Sequence, residues 1–251
     1  MKLLSIDIET SPLLCYSWGT FNVNIGLNQI LKPTQMMCFA AKWYDNPKVI
    51  FKSTYHHGVE DMVKTVHSLL DEADAVMHFN GKRFDEPHIN REIIEQKLGP
   101  PSPYKSIDLY QKVKRIVKLP SNKLQYVSTW LGTDGKAATG GMELWVQCLS
   151  DPPSAKAWAK MRTYNKQDTL LLESTYDSLL PWLPGLPHAG LYGDTVEENV
   201  CQSCGSANVQ KRGFAYTNLG RYQQYRCERA GCGAWSRGKK LLDSVDLRGT
   251  S

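Results

Sequence analysis

The sequence has no apolar run long enough to cross a bilayer, no internal repeat and no low-complexity tract. A membrane-spanning helix needs about 20 consecutive apolar residues, so no such helix is expected. No phosphate-cradling loop is present either. Gly140-Gly141 lacks the strand, the Lys-Ser/Thr pair and the helix start that would frame one. Charge of one sign is scarce over most of the chain: residues 1–200 carry 21 Lys+Arg against 22 Asp+Glu.

What is there is unevenly distributed. The chain has 251 residues and 41% hydrophobic content, enough for a sizeable core and for one or two domains. The net charge of +5 belongs to the end of the chain, where residues 201–251 carry 9 basic against 3 acidic side chains. Such a segment points to nucleic acid or another polyanion. A near-neutral remainder implies that this basic segment supplies much of any salt-sensitive affinity.

The seven cysteines divide the same way. Cys15, Cys38 and Cys148 lie in apolar surroundings and read as small core residues. Cys201, Cys204, Cys227 and Cys232 form Cys-x2-Cys, 22 intervening residues and Cys-x4-Cys, with Gly205, Gly231 and Gly233 beside them. Glycine lets the backbone turn tightly enough for paired thiolates to converge on one ion. In a reducing compartment this set reads as one structural Zn²⁺ rather than two disulfides. The four-residue spacer in the second pair departs from the commonest ribbon and leaves the knuckle geometry open. Around the cysteines, Lys211, Arg212, Arg221, Arg226, Arg229, Arg237, Lys239 and Lys240 interleave with Phe214, Tyr216, Tyr222, Tyr225 and Trp235. That mixture suits phosphates and stacked bases, although some of the aromatics must form the module's own small core.

A Pro/Gly-rich stretch, Pro181-Trp182-Leu183-Pro184-Gly185-Leu186-Pro187 followed by Gly190 and Gly193, supports neither helix nor strand alternation. The expected division is residues 1–180, a linker at 181–199, and a module at 200–251. Within the first unit, residues 2–8, 36–44 and 47–53 read as strands, with an extended piece at 13–20. Met62, Val63, Val66, Leu69 and Leu70 recur at helical spacing. A buried strand covers 75–79, a helix begins near Asp85 with Ile89, Ile93 and Ile94 on one face, and a strand covers 105–109. A short helix covers 123–131, and 154–180 carries one or two helices. Leading strands followed by alternating helices and strands predict an α/β fold, a mixed sheet flanked by helices, with its site at the carboxyl ends of the strands.

Three acidic features fall at such positions. Asp7-Ile8-Glu9-Thr10 ends an apolar run, and alternate strand residues share a face, so two carboxylates sit side by side and repel unless a cation lies between them. Asp85 follows a strand in His78-Phe79-Asn80-Gly81-Lys82-Arg83-Phe84-Asp85, either as a helix cap or as a ligand. Asn80 is either a turn former or a substrate contact, and His78 reads as a core residue. Tyr164-Asn165-Lys166-Gln167-Asp168 places a phenol and a carboxylate one helical turn apart.

In order and separation these features resemble the DEDD exonuclease superfamily in its tyrosine subclass, over residues 1 to about 180. They are similar to the proofreading domains of family B DNA polymerases and to stand-alone bacterial and phage nucleases. The histidine subclass would require His at position 163, which is Thr163. The resemblance implies a ribonuclease H-like fold and 3′→5′ hydrolysis of terminal phosphodiesters with two Mg²⁺ or Mn²⁺ ions. It implies that Asp7 bridges both ions, that Glu9 and Asp168 complete one site, and that Asp85 holds the other through water. Tyr164 would orient the attacking water.

Substrate contacts are expected from Thr10, Asn80, Phe84 and Lys136, with Lys123 and the stretch Gly132–Gly141 lining the groove. Asp108 is either a strand-end cap or a support. Single-stranded or frayed DNA is the preferred substrate, RNA the near alternative, and a nucleic-acid-binding or recruiting adaptor with weak catalysis the different class. A replication or repair protein is the partner such a factor would meet. Lys2 precedes an apolar stretch that Asp7 interrupts, so neither a secretory signal nor an anchor is expected, and the expected compartment is the cytoplasm, of a host if the chain is phage-encoded.

Overall fold

This computed structural model describes residues 1–133, 141–192 and 199–248. The elements run in the order β1 (Leu3–Thr10), β2 (Leu14–Cys15), β3 (Ile30–Lys32), β4 (Met36–Trp43), β5 (Val49–Ser53), α1 (Thr54–Glu72), β6 (Ala75–His78), α2 (Asp85–Glu95), β7 (Lys105–Asp108), α3 (Leu109–Ile116), α4 (Leu124–Trp130), α5 (Met142–Cys148), α6 (Ala155–Leu179), β8 (Val209–Tyr216), β9 (Gly220–Cys227) and β10 (Trp235–Ser244). No helix among the described residues is long and apolar enough to cross a membrane.

Alternation along β1 decides the layout. Leu4, Ile6 and Ile8 pack with Met62, Val63 and Val66 of α1 and with Ile89 and Ile93 of α2. The odd residues, including Asp7 and Glu9, therefore face the opposite side, which α6 covers. The main sheet has the order β5-β4-β1-β6-β7, with β4 antiparallel to β1 and β5 and with β6 and β7 parallel to β1. Helices on both faces bury β4 continuously from Met36 to Lys42, as a two-sided strand requires.

Helix α6 is locked to β4 by a repeating set of contacts. Thr169 donates its hydroxyl to the Ala40 carbonyl at 3.2 Å, the Lys42 ammonium meets Glu173 at 2.5 and 2.7 Å, and the Tyr44 hydroxyl donates to Asp177 at 2.7 Å. Every second residue of the strand thus meets every fourth residue of the helix. Ser154 caps the helix, its hydroxyl accepting from the Ala157 N–H at 3.2 Å.

The last part of the chain forms an antiparallel sheet of order β10-β9-β8. It is not held apart. Cys201, Cys227 and Cys232 are buried in the same core as Tyr176, Leu179 and Leu180 of the α6 region, and so are Leu183 and Leu186 of the Pro/Gly-rich stretch.

Several elements differ from the sequence reading. Ile94 is 71% exposed, because Ile89, Glu92 and Ile93 form the inward face of α2 and Ile94 lies five positions from Ile89. Helix 154–180 is one unbroken element, and α3 and α5 had no periodic signal of sufficient length. The extended piece at 13–20 contributes only the short β2, paired with β3. The arm around it, residues 11–31, has no charged side chain and leaves Trp18 and Phe21 in solvent.

The Lys42–Glu173 pair is mostly buried, with side-chain exposures of 7% and 17%. Glu173→Ala, which strands a buried ammonium, should cost about 3–5 kcal/mol in urea unfolding, whereas Lys42→Met with Glu173→Leu should recover most of that loss. A single variant within about 1 kcal/mol of wild type would mean that Lys42 reaches water.

Candidate active site

Each part of the site comes from an element end. Asp7 and Glu9 close β1, and a register shift between Glu9 and Thr10 bulges the strand there, which re-aims the side chains that follow. Thr10 is half-buried at this bulge. Helix α6 lies over the same face and presents Tyr164, Asn165 and Asp168 on one stripe. One carboxylate oxygen from each of Asp7, Glu9 and Asp168 lies within 4.8 Å of the other two.

Three ionised carboxylates at that spacing in a partly buried site repel strongly. Their oxygens suit a hard divalent cation, whose octahedral ligands at about 2.1 Å are separated by roughly 3 to 4 Å. The surrounding groups register the same negative field. The Cys38 thiol, opposite Glu9 across β4, is pushed well above its ordinary value by burial and then by Glu9 and Asp7. The Tyr164 phenol is pushed far up by burial and then by Asp168, Glu9 and Asp7, and it is hydrogen-bonded to Asp168. Tyr164 is therefore protonated at neutral pH and acts as a donor. Its ring meets Trp145 of α5 edge-on at 6.2 Å.

Asn165 is the residue that the sequence reading passed over. Fully buried, it donates from Nδ2 to the Asp7 carboxylate at 2.7 Å and to the Asp7 carbonyl at 3.1 Å. Its Oδ1 is buried with no hydrogen-bond partner among the described residues. The available signal was its position three residues before Asp168, on the same helical face.

Asp85 approaches β1 from the other direction. Its Oδ1 accepts the Ile8 N–H at 3.1 Å, and Phe84, not Asp85, is the residue preceding the first turn of α2. Burial raises the Asp85 carboxyl to about 6, against the opposing effects of His78 and two backbone N–H groups. Asp85 does not belong to the set of oxygens within 4.8 Å. The loop before it is braced by His78, whose Nε2 contacts Glu86 at 3.0 Å and Ser106 at 2.9 Å while Nδ1 accepts the Gly81 N–H at 3.0 Å. A Cβ on Gly81 would sit 2.3 Å from the His78 ring, which is why glycine stands there.

Among the expected substrate contacts, Asn80 is a left-handed turn residue with φ 66° whose N–H donates to Asp108 at 3.0 Å. It borders a cleft together with Phe79 and Tyr110. Phe84 is partly exposed and meets His88 edge-on at 4.8 Å. Asp108 is buried and caps α3 through the Gln111 N–H. Lys136 lies outside the described residues, as do positions 134–140 of the Gly132–Gly141 stretch.

A second convergence involves the four cysteines, all unbridged. Sγ atoms of Cys201 and Cys232 are 3.7 Å apart and those of Cys204 and Cys227 3.6 Å. A tetrahedral ion with bonds of about 2.3 Å needs sulfur separations near 3.8 Å, so the set fits such an ion. Gly205, Gly231 and Gly233 all have positive φ. Three aromatics of this module are already paired with its own arginines: Phe214 with Arg221 at 4.7 Å, Tyr222 with Arg237 at 4.1 Å and Trp235 with Arg226 at 6.0 Å.

A family model described as RNase_H superfamily matches residues 6–180. No curated protein matches the chain. Among solved structures, the family B DNA polymerase from the hyperthermophilic archaeon Pyrobaculum calidifontis is similar in fold, with a TM-score of 0.55 and 14% sequence identity over 72% of this chain. The matched part is 24% of that polymerase chain, so this chain spans about a quarter of its length.

The burial penalty on ionised Asp85 predicts a pH effect with a definite sign. A carboxyl raised from 3.8 to about 6 in the fold costs stability as pH rises through that window. In chelator, Asp85→Asn should melt above wild type by a margin that grows from about pH 4 to pH 7. A pH-independent margin would mean that Asp85 keeps one protonation state throughout.

Proposed function

The chain belongs to the RNase H superfamily, and from that membership and the site geometry we propose that it is a metal-dependent 3′→5′ exonuclease of the tyrosine subclass. The preferred substrate is single-stranded or frayed DNA, with RNA the alternative. The observation that carries this reading is the approach of Asp7, Glu9 and Asp168 to within 4.8 Å, with Tyr164 bonded to Asp168. In this reading residues 1–180 form the catalytic unit. Residues 181–199 connect it to a ribbon at 200–251 held by one Zn²⁺ on Cys201, Cys204, Cys227 and Cys232.

Asp7, Glu9 and Asp168 would hold Mg²⁺ or Mn²⁺, with Asp85 contributing to a second ion. Bound ions of this kind supply an activated water and charge stabilisation at the leaving oxygen. The chain's own groups prepare the rest. Asn165 holds the Asp7 carboxylate by one hydrogen bond and the Asp7 carbonyl by another, so the carboxylate would meet a cation with little reorganisation. Tyr164 stays protonated, which suits it to orient a water and not to deprotonate one. In this reading Thr10, Asn80 and Phe84 would contact the terminal nucleotide.

Labelled oligonucleotides of DNA and RNA, with Mg²⁺ and with chelator, test the reading. Asp7→Asn should abolish cleavage and leave the melting curve intact. Retention of more than about a tenth of the rate would contradict the assignment, since each 1.36 kcal/mol of lost transition-state stabilisation is tenfold. Tyr164→Phe should lower turnover by roughly 10- to 1,000-fold with metal affinity nearly unchanged, whereas Asp168→Ala should weaken the metal as well. Binding without cleavage in every metal tried would favour the adaptor class.

A further inference from the structure

The near-neutral charge of residues 1–200 hides a local concentration. Between Lys105 and Lys123 the chain has six basic residues and one acid, Asp108, which is buried. Helix α3 turns Leu109 and Val113 inward and leaves Lys114 and Arg115 in solvent. Two clefts flank it. One of about 430 Å³ is bordered by Phe79, Tyr110 and Lys123. The other, of about 550 Å³, is bordered by Lys82, Lys114 and Arg115.

Among the described residues, these four cations take part in no ion pair. Lys112 is different, since its ammonium is tied to the Pro184 carbonyl at 2.6 Å. Tyr110 is held edge-on to Phe79 at 5.7 Å, and the Lys114 ammonium lies 5.2 Å from the Tyr110 ring centre. An aromatic ring fixed by its neighbour, with cations nearby that no described carboxylate neutralises in an ion pair, suits a strand with stacked bases and a charged backbone.

Position connects this surface to the carboxylates. Helix α3 begins where β7 ends, on the same edge of the sheet as Asp7 and Glu9. The strand order puts β7 two places from β1, about 10 Å at ~4.8 Å per strand. That is about three nucleotides of a stacked strand at ~3.4 Å each.

We propose that α3 and the chain leading into α4 form a second contact for the substrate strand, 5′ of the scissile phosphate. There Tyr110 stacks an unpaired base, and Lys114, Arg115 and Lys123 hold phosphates. The proposal rests on the nuclease reading for its ligand. A competing explanation is local: Lys114 and Arg115 lie in the last turn of α3, where cations complement the helix carbonyls. That role would affect melting and leave strand binding alone.

The experiment uses the full chain and a short fluorescent single-stranded DNA, with Ca²⁺ replacing Mg²⁺ so that binding is read without turnover. Lys114→Gln with Arg115→Gln should lower the slope of log affinity against log salt by about 1.4, at ~0.7 for each phosphate contact. Tyr110→Leu should weaken binding by roughly 5- to 100-fold with the slope kept. Cleavage of the p-nitrophenyl ester of thymidine 5′-monophosphate in Mg²⁺, which needs only the carboxylate site, should be unchanged in both variants. An unaltered salt slope in the double variant overturns the proposal, and so does loss of ester cleavage in proportion to strand cleavage. If wild type binds with the full slope, the double variant loses it, and neither strand nor ester is cut, the surface stands and the nuclease reading falls.

Discussion

The registry of α6 on β4 is the constraint on which the rest depends. Two residues of strand advance about 6.7 Å and four residues of helix about 6.0 Å. Ala40, Lys42 and Tyr44 can therefore meet Thr169, Glu173 and Asp177 in succession with little accumulated mismatch. One turn earlier, Asn165 meets Asp7, which lies opposite Ala40 in the sheet. The helix is thus keyed to two adjacent strands, and the position of Asp168 beside Asp7 and Glu9 follows from that keying.

The keyed site is electrostatically incomplete on its own. Protons are favoured on Asp85, Tyr164 and Cys38, each because burial raises the cost of a negative charge, and for the last two because the neighbouring carboxylates add to it. A divalent cation would relieve the same strain. Asn165 supplies only neutral donors, enough to aim Asp7 but not to balance the group. Tyr164 is kept protonated by burial and then by the same carboxylates, so on the proposed reading it would position a water and not take its proton.

The same helix reaches the cysteine cluster. Tyr176 and Leu179, two to three turns beyond Asp168, pack into the core that contains Cys201, Cys227 and Cys232, and the Tyr176 ring meets Tyr44 edge-on at 5.9 Å. Tyr44 in turn bonds Asp177. The cysteine cluster is therefore packed against the helix that carries Asp168. Three arginines of the surrounding module, Arg221, Arg226 and Arg237, are engaged with its own aromatics, while Lys114 and Arg115 of α3 are exposed at the sheet edge that carries the carboxylates.

Much of this was legible in the chain. The alternation of Leu4, Ile6 and Ile8 with Asp7 and Glu9, the four-residue step from Tyr164 to Asp168, and the spacing of the four cysteines are local patterns, and local periodicity fixes which side chains share a face. Sequence alone could not show which side chain answers another across the fold. The Asn165 contact with Asp7 spans 158 positions and the Asp85 contact with Ile8 spans 77. Both turn on packing. Ile94 faces solvent because Glu92 takes an inward position to accept the Met36 N–H. Likewise, α3 acquires its open basic face only where β7 becomes the sheet edge. Residue types and their periods were determined by the sequence; the pairing of distant surfaces, which depends on how helices seat on strands, was decided by the tertiary structure.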